Sequence, residues 1–155
     1  MRVRLQAALA MTVSMSIATA ARAEIVEIQM SAPEPFANGA TFGTAGGYVR
    51  IKGVAKGELD PKDPRNKVIV DIDKAPLNAR GRVEYETDVF ILRPADSAKD
   101  SGVIVYDVTN RGRKMFLNWL ADAVPVPGGT LNDPKVATDA GNGFAFDRGH
   151  TLVWS

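Results

Sequence analysis

Hydrophobic and polar positions follow two different rhythms along this chain. "EIVEIQM", Glu24 to Met30, alternates and predicts a first strand. "SAPEPFANGATFGTAGG" is rich in Gly, Pro and Ala and predicts a surface loop, with Phe36 and Phe42 as its pins into the core. "YVRIKGVAKGEL", Tyr48 to Leu59, alternates again, with Tyr48, Arg50 and Lys52 on one face and Val49 and Ile51 on the other. Gly53 within it points to a bulge or a close backbone approach. "DPKDPRN" stacks two Asp-Pro turn starters. "KVIVDIDKAP", Lys67 to Pro76, reads as a strong strand with Val68, Val70 and Ile72 on one side. A turn at Asn78 to Gly81 precedes a long strand from Val83 to Leu92, and these last two strands read as an antiparallel pair.

After Pro94 the rhythm changes. Val103, Ile104 and Val105 are consecutive, as in a strand buried on both faces. Arg113 to Val124 places Met115, Phe116, Trp119, Leu120 and Val124 at helical spacing. Asp133 to Gly149 reads as a second helix, with Asp133 as N-cap and Pro134 in the first turn, weakened by Gly141 and Gly143. "HTLVWS" is a strand again. Strand, helix, strand is the grammar of a parallel sheet. Trp119 and Trp154 are expected in its core. A parallel sheet of two strands cannot cover its own faces, and the simplest supply of further strands is more chain after Ser155. The fold class expected is therefore α/β: a β-rich part over residues 24–95, then the start of a parallel sheet over residues 102–155.

The first 23 residues stand apart. Arg2 and Arg4 precede a mostly apolar stretch, and "ARA" ends it, which is the pattern of a secretory signal peptide. The stretch is short for a membrane span. Its removal takes away three of the 19 basic residues and none of the 18 acids, leaving 132 residues with a balance of −2. A nearly neutral chain has no electrostatic claim on nucleic acid or an anionic membrane. No cysteine is present, so thiolate metal sites and a Cys nucleophile are excluded. The expected location is periplasmic or secreted.

Candidate chemistry is sparse. The processed chain has four serines, Ser31, Ser97, Ser101 and Ser155, and none sits in a G-x-S-x-G elbow. Ser97 and Ser101 read as solvated turn residues. His150 is the single histidine and reads as a strand-end residue. Asp60, Asp63, Asp71 and Asp73 lack the Gly bend and convergence that calcium requires, and two bases sit among them, so they read as turn and strand-face residues. No glycine pattern cradles a phosphate. No metal and no cofactor are expected.

The stretches "GELDPKDPRN", "ARGRVEY", "YDVTNRG" and "GHTLVWS", taken together, resemble the N-terminal part of the exported bacterial alpha/beta hydrolase domain-containing proteins, from about Phe42 to Ser155. That family is several times longer, with its nucleophile in the later part. The resemblance implies an N-terminal portion of an α/β-hydrolase-type domain, cleaving ester or related acyl bonds of small molecules in the full-length form. It implies no nucleophile here and no activity for this piece alone. It also implies that His150 is not catalytic, because the catalytic His of this fold follows the nucleophile and resembling members often carry an aromatic there. The same resemblance gives "DVTNRG" a role. This fold uses the loop after its first buried strand to lend a backbone N–H to the oxyanion hole. Gly112 would let the backbone approach, and Asn110 and Arg111 would line the cavity. The plainer alternative is a tight connecting turn, with Asn110 as a cap and Arg111 paired with Asp107. A second functional reading is a non-enzymatic periplasmic module whose β-rich half, as a small sandwich, binds a ligand or partner.

Overall fold

The computed structural model describes residues 23–125, Pro127 and residues 131–155. The signal-type segment, apart from Ala23, lies outside the described residues. Seven strands form one mixed sheet: β1 (Glu24–Met30), β2 (Glu34–Pro35), β3 (Thr41–Phe42), β4 (Gly46–Leu59), β5 (Val83–Pro94), β6 (Ile104–Asp107) and β7 (Thr151–Trp154). Its order is β1-β4-β5-β7-β6, with the short β2 and β3 also on β4. Among the described residues helix is confined to single turns, α1 (Phe116–Trp119) and α2 (Phe144–Asp147), besides several 3-10 turns. The chain is thus a β-rich mixed α/β structure.

The spine is the β4–β5 pair, antiparallel from Tyr48↔Pro94 to Leu59↔Val83. Two segments far apart in the sequence complete the sheet. Strand β7 pairs antiparallel with β5 (Phe90↔Trp154, Leu92↔Leu152), and β6 pairs parallel with β7 (Ile104↔Thr151 to Asp107↔Trp154). The expected parallel pair is therefore present. Its neighbours on one side come from the β-rich part itself, which shares this sheet and does not form a separate sandwich.

One face of the sheet carries the core. Tyr48, Phe90, Leu92, Leu152 and Trp154 meet Phe116, Leu117 and Phe146 of the β6–β7 connection, all buried. Burying an aromatic or aliphatic side chain of this kind is worth about 1.5–3 kcal/mol. Phe36 and Phe42 are the expected pins: Phe36 stacks on Phe42 and on Phe146. The Tyr48 hydroxyl donates towards the carbonyls of Phe146 (3.1 Å) and His150 (3.0 Å), tying β4 to the start of β7. Burial, with Asp100 and Asp147 nearby, pushes the Tyr48 phenol well above its usual range. Gly141 is required where the connection turns back, because a Cβ there would collide with the Ala121 carbonyl. At Gly53 the close approach is real: Met30 of β1 fills the space a side chain would need.

Several expectations are corrected. Lys67–Pro76 is not a strand. It forms 3-10 turns, Pro64–Val68 and Ile72–Lys74, with Val68 and Val70 85% and 87% exposed. The partners of β5 are β4 and β7 instead. Asp71, with φ 58°, turns the chain and binds Lys74 at 2.6 Å, so it does not share a strand face with Asp73. The helix expected over Arg113–Val124 shrinks to one turn, leaving Trp119 67% exposed and outside the core. The helix expected over Asp133–Gly149 becomes a 3-10 turn (Ala137–Ala140) and α2. Asp133 caps nothing; it pairs with Lys52 (2.7 Å) and Lys135 (2.8 Å).

Candidate functional site

The carboxyl ends of β6 and β7 lie side by side, and everything distinctive about the molecule's chemistry gathers there. In open sheets with parallel strands, this end is where ligands bind. The sequence reason is Asp107, the last residue of β6. Its Oδ2 accepts from the backbone N–H of Met115 (2.9 Å) and Phe116 (2.9 Å) and from the indole Nε1 of Trp154 (2.7 Å). One carboxylate oxygen thus joins both strand ends to the start of α1. The ion pair expected between Asp107 and Arg111 is absent; Asp107 serves the three N–H donors. Trp154 is buried as expected.

Between these anchors the segment 108–114 closes on itself. Asn110 and Arg113 exchange backbone hydrogen bonds of 3.0 and 3.1 Å. Arg111 (φ 52°) and Gly112 (φ 74°) form the tip, both left-handed, as in mirror-image β-turns. Asn110 therefore acts through its backbone as the base of a turn, not as a side-chain cap. The Gly112 carbonyl accepts from Asn132 Nδ2 at 3.0 Å, while its N–H meets no acceptor among the described residues. The space a Cβ would fill at Gly112 is open. The sequence-selected residues Asn110, Arg111 and Gly112 are thus together, exposed, on a tip whose base is fixed.

Two hollows open next to the segment that carries the tip, one lined by Asn110 and the other by Lys114. An apolar one of about 350 Å³ lies between β6 and α1, lined among others by Val105, Tyr106, Phe116 and Trp119. The other, of about 330 Å³, lies over the middle of β5 and the end of β7, lined by Phe90, Trp154, Lys114, Lys52, Asp88 and Asp133 among others. Sequence reasoning passed over Lys114. Its backbone N–H donates to Asn132 Oδ1 (3.0 Å) and its ammonium to the Asn132 carbonyl. Its Nζ lies 3.8 Å from the centroid of the Phe90 ring. Burial, reinforced by the charge of Lys52 and opposed by Asp133 and Asp88, lowers its pKa to about 8. Nothing in the local sequence marks this basic residue apart from its neighbours.

Ser101 and His150 meet at the opposite, amino end of the same strand pair, at 2.9 Å between Oγ and Nδ1. Nothing along the chain marks these two residues as a pair. The contact is structural. Ser101 Oγ also accepts from Val103 N (3.2 Å), and the Ser101 N–H donates to the Gly149 carbonyl (2.9 Å). The adjacent Asp100 turns to Thr151 (2.6 Å) and Gly102 (2.7 Å), not to the imidazole. A Ser-His-Asp relay needs the carboxylate on one ring nitrogen and the serine on the other. Ser97 lies in an exposed 3-10 turn. The acids weighed for calcium have local partners: Asp60 accepts from Lys62 N (2.9 Å), and Asp63 accepts from Arg65 N (2.9 Å).

No family model, no curated protein and no solved structure matches this chain.

Proposed function

We propose that this chain supplies the oxyanion side of an exported serine-type α/β hydrolase that cleaves ester or related acyl bonds in small molecules. The nucleophile is not among the residues of this chain, so the chain by itself is inactive. The observation that carries the reading is the Arg111–Gly112 tip. A fixed turn at the carboxyl end of a parallel strand carries a backbone N–H with no acceptor among the described residues, and Asn110 at the base of that turn lines an apolar hollow. An oxyanion needs such a preorganised donor, in a place where a substrate acyl group can lie. The sheet supports the same reading. The outer edge of β6 has no partner among the described residues, and its second face carries Ile104 and Tyr106 exposed beside Val153. A further parallel strand there would bring its own carboxyl end, the place for a serine elbow, next to the tip.

The assay is hydrolysis of p-nitrophenyl acetate by this chain and by the product of the whole coding frame. The chain alone is expected to give no release above buffer. The whole product is expected to hydrolyse the ester through a serine in a Gly-rich elbow and to lose activity when that serine is replaced. Turnover by the chain alone that vanishes with Ser101→Ala or His150→Ala overturns the proposal, because it moves the chemistry to the other end of the sheet. A whole product inert towards a panel of p-nitrophenyl esters overturns it as well.

A further inference from the structure

The hollow over the middle of β5 and the end of β7 does not include the oxyanion tip, and its chemistry differs. Phe90 and Trp154 form an aromatic wall, edge to face at 5.8 Å between centroids. Lys114 Nζ lies 3.8 Å from one ring centroid and 5.6 Å from the other, on the lining of a cavity of about 330 Å³. Asp133 on the same lining lies between Lys52 and Lys135. Among the described residues Lys114 has no carboxylate within ion-pair distance; its ammonium donates a hydrogen bond to a peptide carbonyl, that of Asn132. A lysine so placed loses more by dehydration than Asp133 and Asp88 return from a distance, and this is how proteins turn an ammonium into a nucleophilic amine.

We propose that Lys114 is a reactive amine and that its cavity captures small aldehydes with an aromatic or apolar body as a reversible imine. The neutral amine attacks the carbonyl carbon and a nitrogen–carbon bond forms. The carbonyl oxygen takes up two protons, one of them from the amine, and leaves as water. The resulting C=N bond carries one proton at neutral pH and reverts by adding water. No oxidant or reductant is consumed. The aromatic wall receives the body of the aldehyde, and the Asn132 carbonyl holds the amine in place. This assignment is independent of the proposed hydrolase role.

The test is limited reductive trapping on the purified chain, with benzaldehyde and cyanoborohydride at pH 7.5, read by peptide mass spectrometry. Lys114 is expected to carry at least tenfold more label than the exposed Lys62 and Lys67. Its labelling is expected to reach half its maximum near pH 8, below the ordinary lysine range of the exposed residues. With formaldehyde, which needs no cavity, the preference is expected to shrink. Label distributed by exposure, with Lys114 at or below Lys67, overturns the proposal. So does an equal preference for formaldehyde and benzaldehyde, since it removes the role of the cavity. Lys114→Arg is expected to abolish the preferred site and Lys52→Gln to keep it. Because the distribution is read on the unaltered chain, it decides the matter even if a variant does not fold.

Discussion

The two ends of the β6–β7 pair are built from opposite materials. The amino end holds the residue types that usually suggest hydrolysis: Asp100, Ser101 and His150. Every one of them is engaged in joining the 99–103 segment to the start of β7. The carboxyl end holds Asn110, Arg111 and Gly112, which include no nucleophile and no acid-base pair, yet it has an N–H without an acceptor among the described residues and two hollows nearby. Residue type thus points one way and unused bonding capacity the other. A cluster whose groups are bonded to the backbone and to one another acts as a joint, whatever its composition. At the carboxyl end a single carboxylate, that of Asp107, takes up the structural bonding and leaves the tip unencumbered.

Breaking that division of labour should be most costly at Asp107. In Asp107→Ala three N–H donors lose one shared, charged acceptor. Charge-assisted bonds contribute more than neutral ones, and they are not additive here because they converge on one oxygen. A loss of about 3 kcal/mol is expected, measured as the shift in urea midpoint at constant slope. A loss below about 1 kcal/mol would mean that the loop is held by something other than this carboxylate.

How much of this was legible in the sequence depends on what each signal measures. Alternation identified β1, β4 and β5, the apolar run identified β6, and "HTLVWS" identified β7, because those segments present one side chain pattern to one layer; the burial expected on both faces of β6 is found on neither Val103 nor Ile104, which are exposed. The same alternation misplaced Lys67–Pro76. Local pattern does not reveal whether the neighbouring strands have an edge to spare, and here they do not: β4 lies between β1 and β5, and β5 between β4 and β7. With both edges of β4 and β5 taken, Val68 and Val70 stay in solvent on turns begun by the Asp63 cap and Pro64. The helices were overread because helical spacing persists in a segment whose apolar residues split. Phe116 and Leu117 go to the core, whereas Trp119, Leu120 and Val124 go outward. Lys114 left no trace, since its significance comes from Phe90 and Trp154, both distant along the chain.

The amino-end joint can be sharpened by pH. The Asp100 carboxyl is held below its usual range, first by the Thr151 hydroxyl and then by the Gly102 N–H. Such bonds favour the ionised form in the folded state, so their stabilisation is complete above the unfolded value of about 4. It is lost as pH falls through the lower folded value. Asp100→Asn is therefore expected to be less stable than the parent at pH 7, with the gap closing towards pH 2. Thr151→Val, which removes the leading partner, is expected to cost about 1–2 kcal/mol at pH 7. A gap independent of pH would show that the carboxylate's charge has no part in the joint.

The smallest effect is expected at the tip, and its smallness is the informative part. Gly112 has a φ of 74°, where an alanine is strained by about 1 kcal/mol. Nothing lies within 4 Å of the Cβ that Gly112→Ala would add, so no packing penalty joins the backbone strain. Gly141→Ala makes the contrast, since its φ of 61° is similar but its Cβ would strike the Ala121 backbone. Thermal unfolding should therefore separate the two variants clearly, with Gly112→Ala close to the parent. Equal losses would mean that the tip is packed against something and is not the open donor that an oxyanion site requires. A near-neutral Gly112→Ala, by contrast, marks a glycine whose open face serves an approach from outside the fold.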